Sequence, residues 1–188
     1  MIRELEEFGK CVVITGFREV EIGDVNSFFG LVREKAVDTE IQVFDANLIA
    51  TWEHLYFAAL NALTAFNGSV NISNSLAMET LLYASAQRQI DKAIDLLGMK
   101  PESKHMAVLI IANTQKDAES ALEELSKLVS GECDNRVLEL TDEKAVGIRK
   151  LFDISDLELR SKRSREENEK VALVELVIEH MALLATQR

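Results

Sequence analysis

The sequence predicts a single α/β (α+β) domain with a small mixed sheet of about four strands packed with several helices, the last of them long. Three observations predict it. Short apolar, β-branched runs alternate with stretches whose apolar residues recur every three or four positions, the pattern of strands interleaved with core-facing helices. The 188 residues suit one domain with a proper core and require no second one. Hydrophobic residues at 47% and charged residues at 28% are ordinary for a folded chain and argue against extensive disorder. The helices are expected largely on one face of the sheet, and the pattern leaves strand order and direction open.

The elements follow in chain order. MIRELEEFGK at the start lacks the apolar core of a secretory signal. KCVVIT, residues 10–15, is apolar and β-branched and reads as a buried strand ended by Gly16. Gly9-Lys10 lacks the upstream glycine and the following Ser or Thr of a phosphate loop. Asp24 starts a helix whose apolar face is Val25, Phe28, Phe29, Leu31, Val32 and Ala36, running to about Val37. A strand follows at 40–44, with Asp45 and Asn47 as turn residues. Thr51 is the expected N-cap of a helix that buries Trp52, Tyr56, Phe57, Leu60 and Leu63 to Phe66 and ends at Asn67-Gly68.

MAVLIIA, residues 106–112, is the most hydrophobic run and reads as a strand buried on both faces at the centre of the sheet. Thr114 and Asp117 open a helix to Val129 that faces inward through Ala121, Leu122, Leu125 and Leu128 and is stopped by Gly131. RVLEL, residues 136–140, is expected as an edge strand. Thr141 caps a helix carrying Ala145, Val146, Ile148 and Leu151. A charged segment near 159–170, with SKRSREENEK at its heart, has no apolar anchor; it is a mobile connection or the exposed start of a long helix. Leu173, Val174, Val177, Ile178, Met181 and Leu184 then form an apolar stripe that closes the core or meets a partner.

Residues 71–98, NISNSLAMETLLYASAQRQIDKAIDLLG, organise the rest. Their Asn and Ser residues can accept the free N–H groups of a helix's first turn, so a helix begins near Ser73 to Ser75. Ala77, Leu81 and Ala84, flanked by Met78 and Leu82, lay one face on a core; Ile90, Ala93, Ile94 and Leu97 repeat the spacing. Between the two runs, 85–89 reads as a break or kink. Gly98, which can take the left-handed cap, and Pro101 stop the second run. Arg88 and Lys92 share a helical face beside Asp91 and Asp95, either as a solvated face with internal ion pairs or as a docking surface.

The order Asn71-Ile72, Ser73 to Ser75, Leu76 to Glu79, Leu81 to Ser85, then Arg88-Gln89-Ile90, Lys92-Ala93-Ile94 and Gly98 resembles the signature of the small non-catalytic KEOPS subunit. That family includes the eukaryotic PRPK-binding protein and its archaeal counterparts. The likeness is tight over these 28 residues and loose elsewhere, through element order and the closing Val-Ile-Glu-His-Met-Ala-Leu-Leu segment. The family carries a glycine where this chain has Ala86, which predicts a more helical turn before Arg88.

The resemblance implies an accessory subunit of the complex that installs the threonylcarbamoyl group on the adenosine next to the anticodon. Such a subunit performs no chemistry. It binds the kinase-like ATPase subunit of KEOPS and helps recruit tRNA by its single-stranded 3′ CCA end, within a larger KEOPS assembly. Residue type then suggests the contacts. Leu81, Leu82, Ile90 and Ile94 beside Gln87 offer an apolar cluster with a polar rim, although at least half of these aliphatics must belong to the core. Asn71, Asn74, Arg88, Gln89 and Lys92 offer enough donors for a short single strand without a broad basic face.

A net charge of −11 opposes binding of long duplexes, which depends on neutralising many phosphates. No run of about 18 uncharged apolar residues exists, so the protein is expected to be soluble and cytoplasmic, with no membrane contact. Cys11 and Cys133 form neither a CxxC motif nor a disulfide framework and are expected as free thiols. His54, His105 and His180 stand apart in sequence, and there is no HExxH, Cys/His cluster, GxSxG, GxGxxG or Walker loop. No catalytic residue, metal or cofactor is therefore expected; Asp45 and Glu79 are acid/base candidates only in isolation. Two alternatives stay open: a structural adaptor that never touches RNA, and a small-molecule enzyme or sensor with a pocket at the strand ends near Asp45 and Asn113.

Overall fold

The computed structural model describes residues 1–35, 38–162 and 168–186. Its sheet is built on β2 (Lys10–Arg18) and β4 (His105–Ala112), which pair antiparallel from Cys11 opposite Ala112 to Arg18 opposite His105. β3 (Thr39–Asp45) lies on the far edge of β4, while β1 (Ile2–Leu5) and the two-residue β5 (Glu132–Cys133) share the other edge of β2. Every pairing is antiparallel, where a mixed sheet was expected. β4 lies inside the sheet, as its uninterrupted apolar run requires.

Helices cover both faces rather than one. Val12, Ile14, Phe44, Leu109 and Ile111 pack into a cluster with α2 (Trp52–Asn67), α3 (Leu76–Ala84), α4 (Ile90–Leu97) and the end of α8 (Glu169–Leu183). Val13, Phe17, Val43, Val108 and Ile110 pack on the opposite side with α1 (Val25–Lys35) and α5 (Gln115–Leu128). The physical reason is already in β2 and β4: strands apolar at consecutive positions have no face that water could cover. A third cluster joins α6 (Asp142–Leu151) and α7 (Asp156–Lys162) to α8 through Ile148, Phe152, Leu159, Leu173 and Val177.

Most helix starts obey local chemistry. Asp24 Oδ1 accepts the N–H of Ser27 at 2.6 Å, Thr114 accepts that of Asp117 at 3.2 Å and Thr141 that of Lys144 at 3.2 Å. Thr51 departs from this rule. It stands at the N-cap of α2, but its hydroxyl is buried and has no partner among the described residues. α5 ends at Leu128, ahead of Gly131.

Other expectations give way to longer-range packing. β2 continues through Gly16 to Arg18, because a Cβ at Gly16 would stand 2.2 Å from Val137 Cγ2; the glycine admits a neighbour and does not end the strand. The stretch expected as an edge strand at 136–140 is instead a 3-10 turn, Asn135–Leu138. Asp134 turns the chain there by accepting the backbone N–H of Arg136 at 3.0 Å and its guanidinium at 2.7 Å, and that bond holds the Asp134 carboxyl down to about 2. Val146, expected on the inner face of α6, is exposed. Ala36 and Val37, assigned to the first helix, lie outside the described residues, as do residues 163–167 of the charged segment. Asn168 caps α8 by accepting the N–H of Lys170 at 3.1 Å, so α8 begins at Glu169, at the end of that segment, whose first residues to Lys162 belong to α7.

Candidate functional site

The loop ahead of α3 is held by a buried carboxylate. Glu79 accepts the N–H of Ile72 at 3.0 Å and that of Ser73 at 2.7 Å, and its side chain has no exposure to solvent. Ser75 accepts the N–H of Met78 at 3.3 Å, and Glu40 on β3 accepts that of Ala77 at 3.1 Å. The first-turn donors Ala77 N and Met78 N are thereby answered from the sheet edge and from the helix's own flank. Glu79, an acid/base candidate by sequence, is thus a structural acceptor for the loop.

The other end of α3 forms an elbow into α4. The last four carbonyls of α3 are each accounted for. Leu81 O accepts from Ser85 N at 3.0 Å, Leu82 O from Gln87 N at 3.0 Å, and Tyr83 O from Ala86 N at 2.9 Å. Ala84 O meets His54 Nε2 at 2.8 Å. The Gln87 and Ala86 bonds make a Schellman turn, with Ala86 at φ +50° in the left-handed region. The turn is therefore not more helical for lacking glycine: alanine adopts the conformation that glycine takes without strain. α4 then runs to Leu97. Gly98 stops it in extended backbone, at φ −67°, rather than by a left-handed cap, and a Cβ there would stand 2.5 Å from Ile94 O.

The structure separates the residues proposed for partner contact. Leu81 and Leu82 are buried in the core, Leu81 at the base of the cleft beside α1. Gln87 is half-buried, while Ile90 and Ile94, four residues apart on α4, are 41% and 43% exposed. Of the residues proposed for RNA, Asn74, Arg88, Gln89 and Lys92 are exposed. Asn71 is half-buried and donates to Ser73 O at 3.0 Å. Burial pushes the Tyr83 phenol up, with Glu79 adding to the shift and Arg88 offsetting it. Arg88 thus lies within electrostatic reach of the helix face that anchors the 71–75 loop.

Two concavities adjoin these elements. A cleft of about 590 Å³ lies between α1, β3, α3 and α4, with Phe29, Met78 and Ile94 among its walls. A groove of about 340 Å³ runs along α8 and the start of α2, floored by Leu140, Val171, Val174 and Ile178 and flanked by Glu53, Lys170 and Glu175. The terminal stripe thus does two things. Leu173, Val177, Met181 and Leu184 are core, while Val174 and Ile178 turn partly outward. Sequence reasoning did not single out this groove or His54; the apolar stripe pointed to the first, and an isolated histidine gave no sign of the second.

The pocket expected near Asp45 and Asn113 is not formed. Asp45 pairs opposite Met106 and Thr39 opposite Ala112, so the antiparallel register puts the two residues at opposite ends of β4. Asp45 instead accepts from Ser103 Oγ at 2.6 Å and Asn47 N at 2.9 Å, and Asn113 accepts from Lys10 Nζ at 2.6 Å. Nearby, burial pushes the Lys144 ammonium down to about 8 against the opposing pull of Asp45 and Glu139, while its Nζ donates to Val137 O at 2.9 Å. Both cysteines are free thiols. Among the described residues, no cluster of His, Cys, Asp or Glu could hold a metal, and no helix is long and apolar enough to cross a membrane.

Residues 23–185 match the family model described as kinase binding protein CGI-121, a span that runs from the start of α1 to the end of α8 and includes the whole elbow. The regulatory protein Cgi121 of Methanocaldococcus jannaschii is 31% identical over 165 residues, covering 88% of this chain and 98% of that protein. The 71–98 signature pointed to the same small subunit family. A family match across nearly the whole fold, with a relative similar from end to end, leaves one conclusion: the chain belongs to the CGI-121 family of kinase binding proteins.

Proposed function

We propose that this chain is a non-catalytic accessory subunit of the KEOPS complex for tRNA threonylcarbamoyladenosine modification, working in the cytoplasm. It binds the kinase-like ATPase subunit and holds the single-stranded 3′ CCA end of tRNA at the α3–α4 elbow. The observation that carries the reading is the elbow itself: Arg88, Gln89 and Lys92 reach the surface beside a turn whose carbonyls are met by its own amides and by His54. Donors mounted on such a turn can meet a few nucleotides without first ordering a loop. Asn71 and the exposed Asn74 stand in the loop at the other end of α3 and would extend the same contact along that helix. The chain's acidity then confines RNA contact to a short local site, with charged chemistry left to the ATPase and transferase subunits.

For the kinase contact, two apolar surfaces compete. Ile90 and Ile94, with Gln87 at their rim, form an exposed pair on α4, and Ile94 also walls the cleft beside α1, whose lining includes Arg33, Glu40 and Gln42. The groove along α8 is floored by four aliphatic side chains, a lining on which a partner's anchor residue is desolvated without stranding polar groups. That observation favours the groove for the kinase and leaves Ile90 and Ile94, with Gln87 at their polar rim, as the flank of the RNA elbow.

Charge reversal at Arg88 and Lys92 tests the RNA contact. The double variant is expected to fold normally and to bind tRNA more weakly at fixed salt. An unchanged affinity would remove RNA from the proposal and leave a protein-docking adaptor.

A further inference from the structure

We infer that His54 is the positioning residue of the α3–α4 elbow. Its ring fixes the direction in which α3 ends, and so where Arg88 and Gln89 stand; the consequence for RNA rests on the function proposed above.

The ring's protonation follows from its partners. Ala50 N lies 3.2 Å from His54 Nδ1, and a backbone N–H can only donate, so Nδ1 is the acceptor and carries no proton. The proton of the neutral ring is then on Nε2, which donates to Ala84 O at 2.8 Å. His54 has no exposure to solvent, and burial pushes its pKa down to about 4, so the ring stays neutral near physiological pH.

The elbow needs this bond from outside. Of the last four carbonyls of α3, those of Leu81, Leu82 and Tyr83 are met by Ser85, Gln87 and Ala86 of the turn itself. Ala84 O is met by a side chain on another helix, 30 residues away in sequence. The turn also keeps a non-glycine residue at positive φ, a conformation that persists only where surrounding contacts over-determine it. Phe152, edge-on to the His54 ring at 5.7 Å, limits rotation of the imidazole. His54 belongs to the first turn of α2, whose Thr51 and Glu53 line the groove along α8. One buried ring therefore ties the backbone at the groove end of α2 to the end of α3.

Asparagine and glutamine divide the two bonds of the ring between them. An Asn amide reaches about as far as Nδ1 and a Gln amide about as far as Nε2. His54→Gln should keep the Ala84 bond, while His54→Asn and His54→Leu should lose it. The readouts are amide hydrogen exchange at Ala86 and Gln87, affinity for a single-stranded RNA ending in CCA, and affinity for the kinase-like subunit. In the Asn and Leu variants, exchange at Gln87 is expected to quicken and RNA affinity to fall, each about tenfold, with kinase affinity within about twofold. The Gln variant should restore both.

Unchanged exchange at Gln87 in the Asn and Leu variants would reduce His54 to a core filler and overturn the inference. Faster exchange with undiminished RNA binding would overturn the link to RNA. If the unaltered chain itself binds no such RNA, the proposed function fails, and exchange at Gln87 still decides the role of His54. Should the variants unfold, nitrogen NMR of the unaltered chain decides: a proton on Nε2 is expected, and one on Nδ1 would contradict the assignment.

Discussion

The Glu79 carboxylate accepts the backbone N–H of Ser73 at 2.7 Å from a position with no exposure to solvent. The same carboxylate holds Ile72 N, so two consecutive loop amides depend on one side chain. Glu79→Ala leaves both amides in want of an acceptor and is expected to cost about 2–4 kcal/mol in chemical denaturation. A loss below about 0.5 kcal/mol would mean that water replaces the carboxylate freely.

Ala86 lies at φ +50° where glycine would be unstrained. Ala86→Gly is expected to stabilise the chain by about 0.5–1 kcal/mol, the left-handed penalty of alanine less the extra chain entropy of glycine. The Ala86 methyl packs against the cluster of α6, α7 and α8, and this contact works in the opposite direction. A destabilisation of more than about 1 kcal/mol in a urea titration would show that packing outweighs backbone strain.

His54 gives the stability a pH dependence. Its folded pKa of about 4, lowered chiefly by burial, lies below the ordinary 6.5. Between those values the unfolded chain takes up a proton that the folded chain refuses, so its contribution is full above about pH 6.5 and is lost as pH falls toward 4. Across that window the unaltered chain should lose on the order of 3 kcal/mol more than His54→Gln. Parallel stability curves for the two proteins would contradict the assignment of a buried neutral ring.

Much of the fold was legible where its cause is local. Asp24, Ser75, Thr114 and Thr141 each stand at a helix start named from sequence, because a cap needs only a side chain and an amide three residues on. RVLEL misled because its alternation is that of a strand, while the deciding group is the Asp134 carboxylate just before it. Gly16 looked like a terminator because its crowding neighbour, Val137, lies 121 positions away. β1 went unread since four residues with two charges carry little periodic signal.

The site was legible to a lesser degree. On α4 the positions Ile90, Ala93, Ile94 and Leu97 all fit a helical face, yet Ala93 and Leu97 point inward and the two isoleucines outward. Periodicity defines two adjacent stripes and does not say which one meets the core. Leu81 and Leu82 were drawn into the proposed contact for the same reason. His54 shows the limit most plainly, because its partners are a backbone amide and a carbonyl, and no residue type records them.

The groove along α8 makes a prediction distinct from the elbow. Ile178→Asp places a charge on its apolar floor and is expected to weaken binding of the kinase-like subunit about 30-fold or more. Ile94→Asp, in the exposed pair on α4, should change that affinity by less than about threefold. The reverse ranking, measured by calorimetry, would move the kinase contact onto α4.

The most direct measurement compares binding of intact tRNA with the same tRNA trimmed of its CCA end, using the purified chain alone and then with the KEOPS ATPase subunit. The account predicts that the chain binds intact tRNA, that trimming abolishes the binding, and that adding the ATPase subunit does not restore it to the trimmed form. Equal binding of the two tRNAs, or a chain that binds the ATPase subunit and neither tRNA, would contradict it.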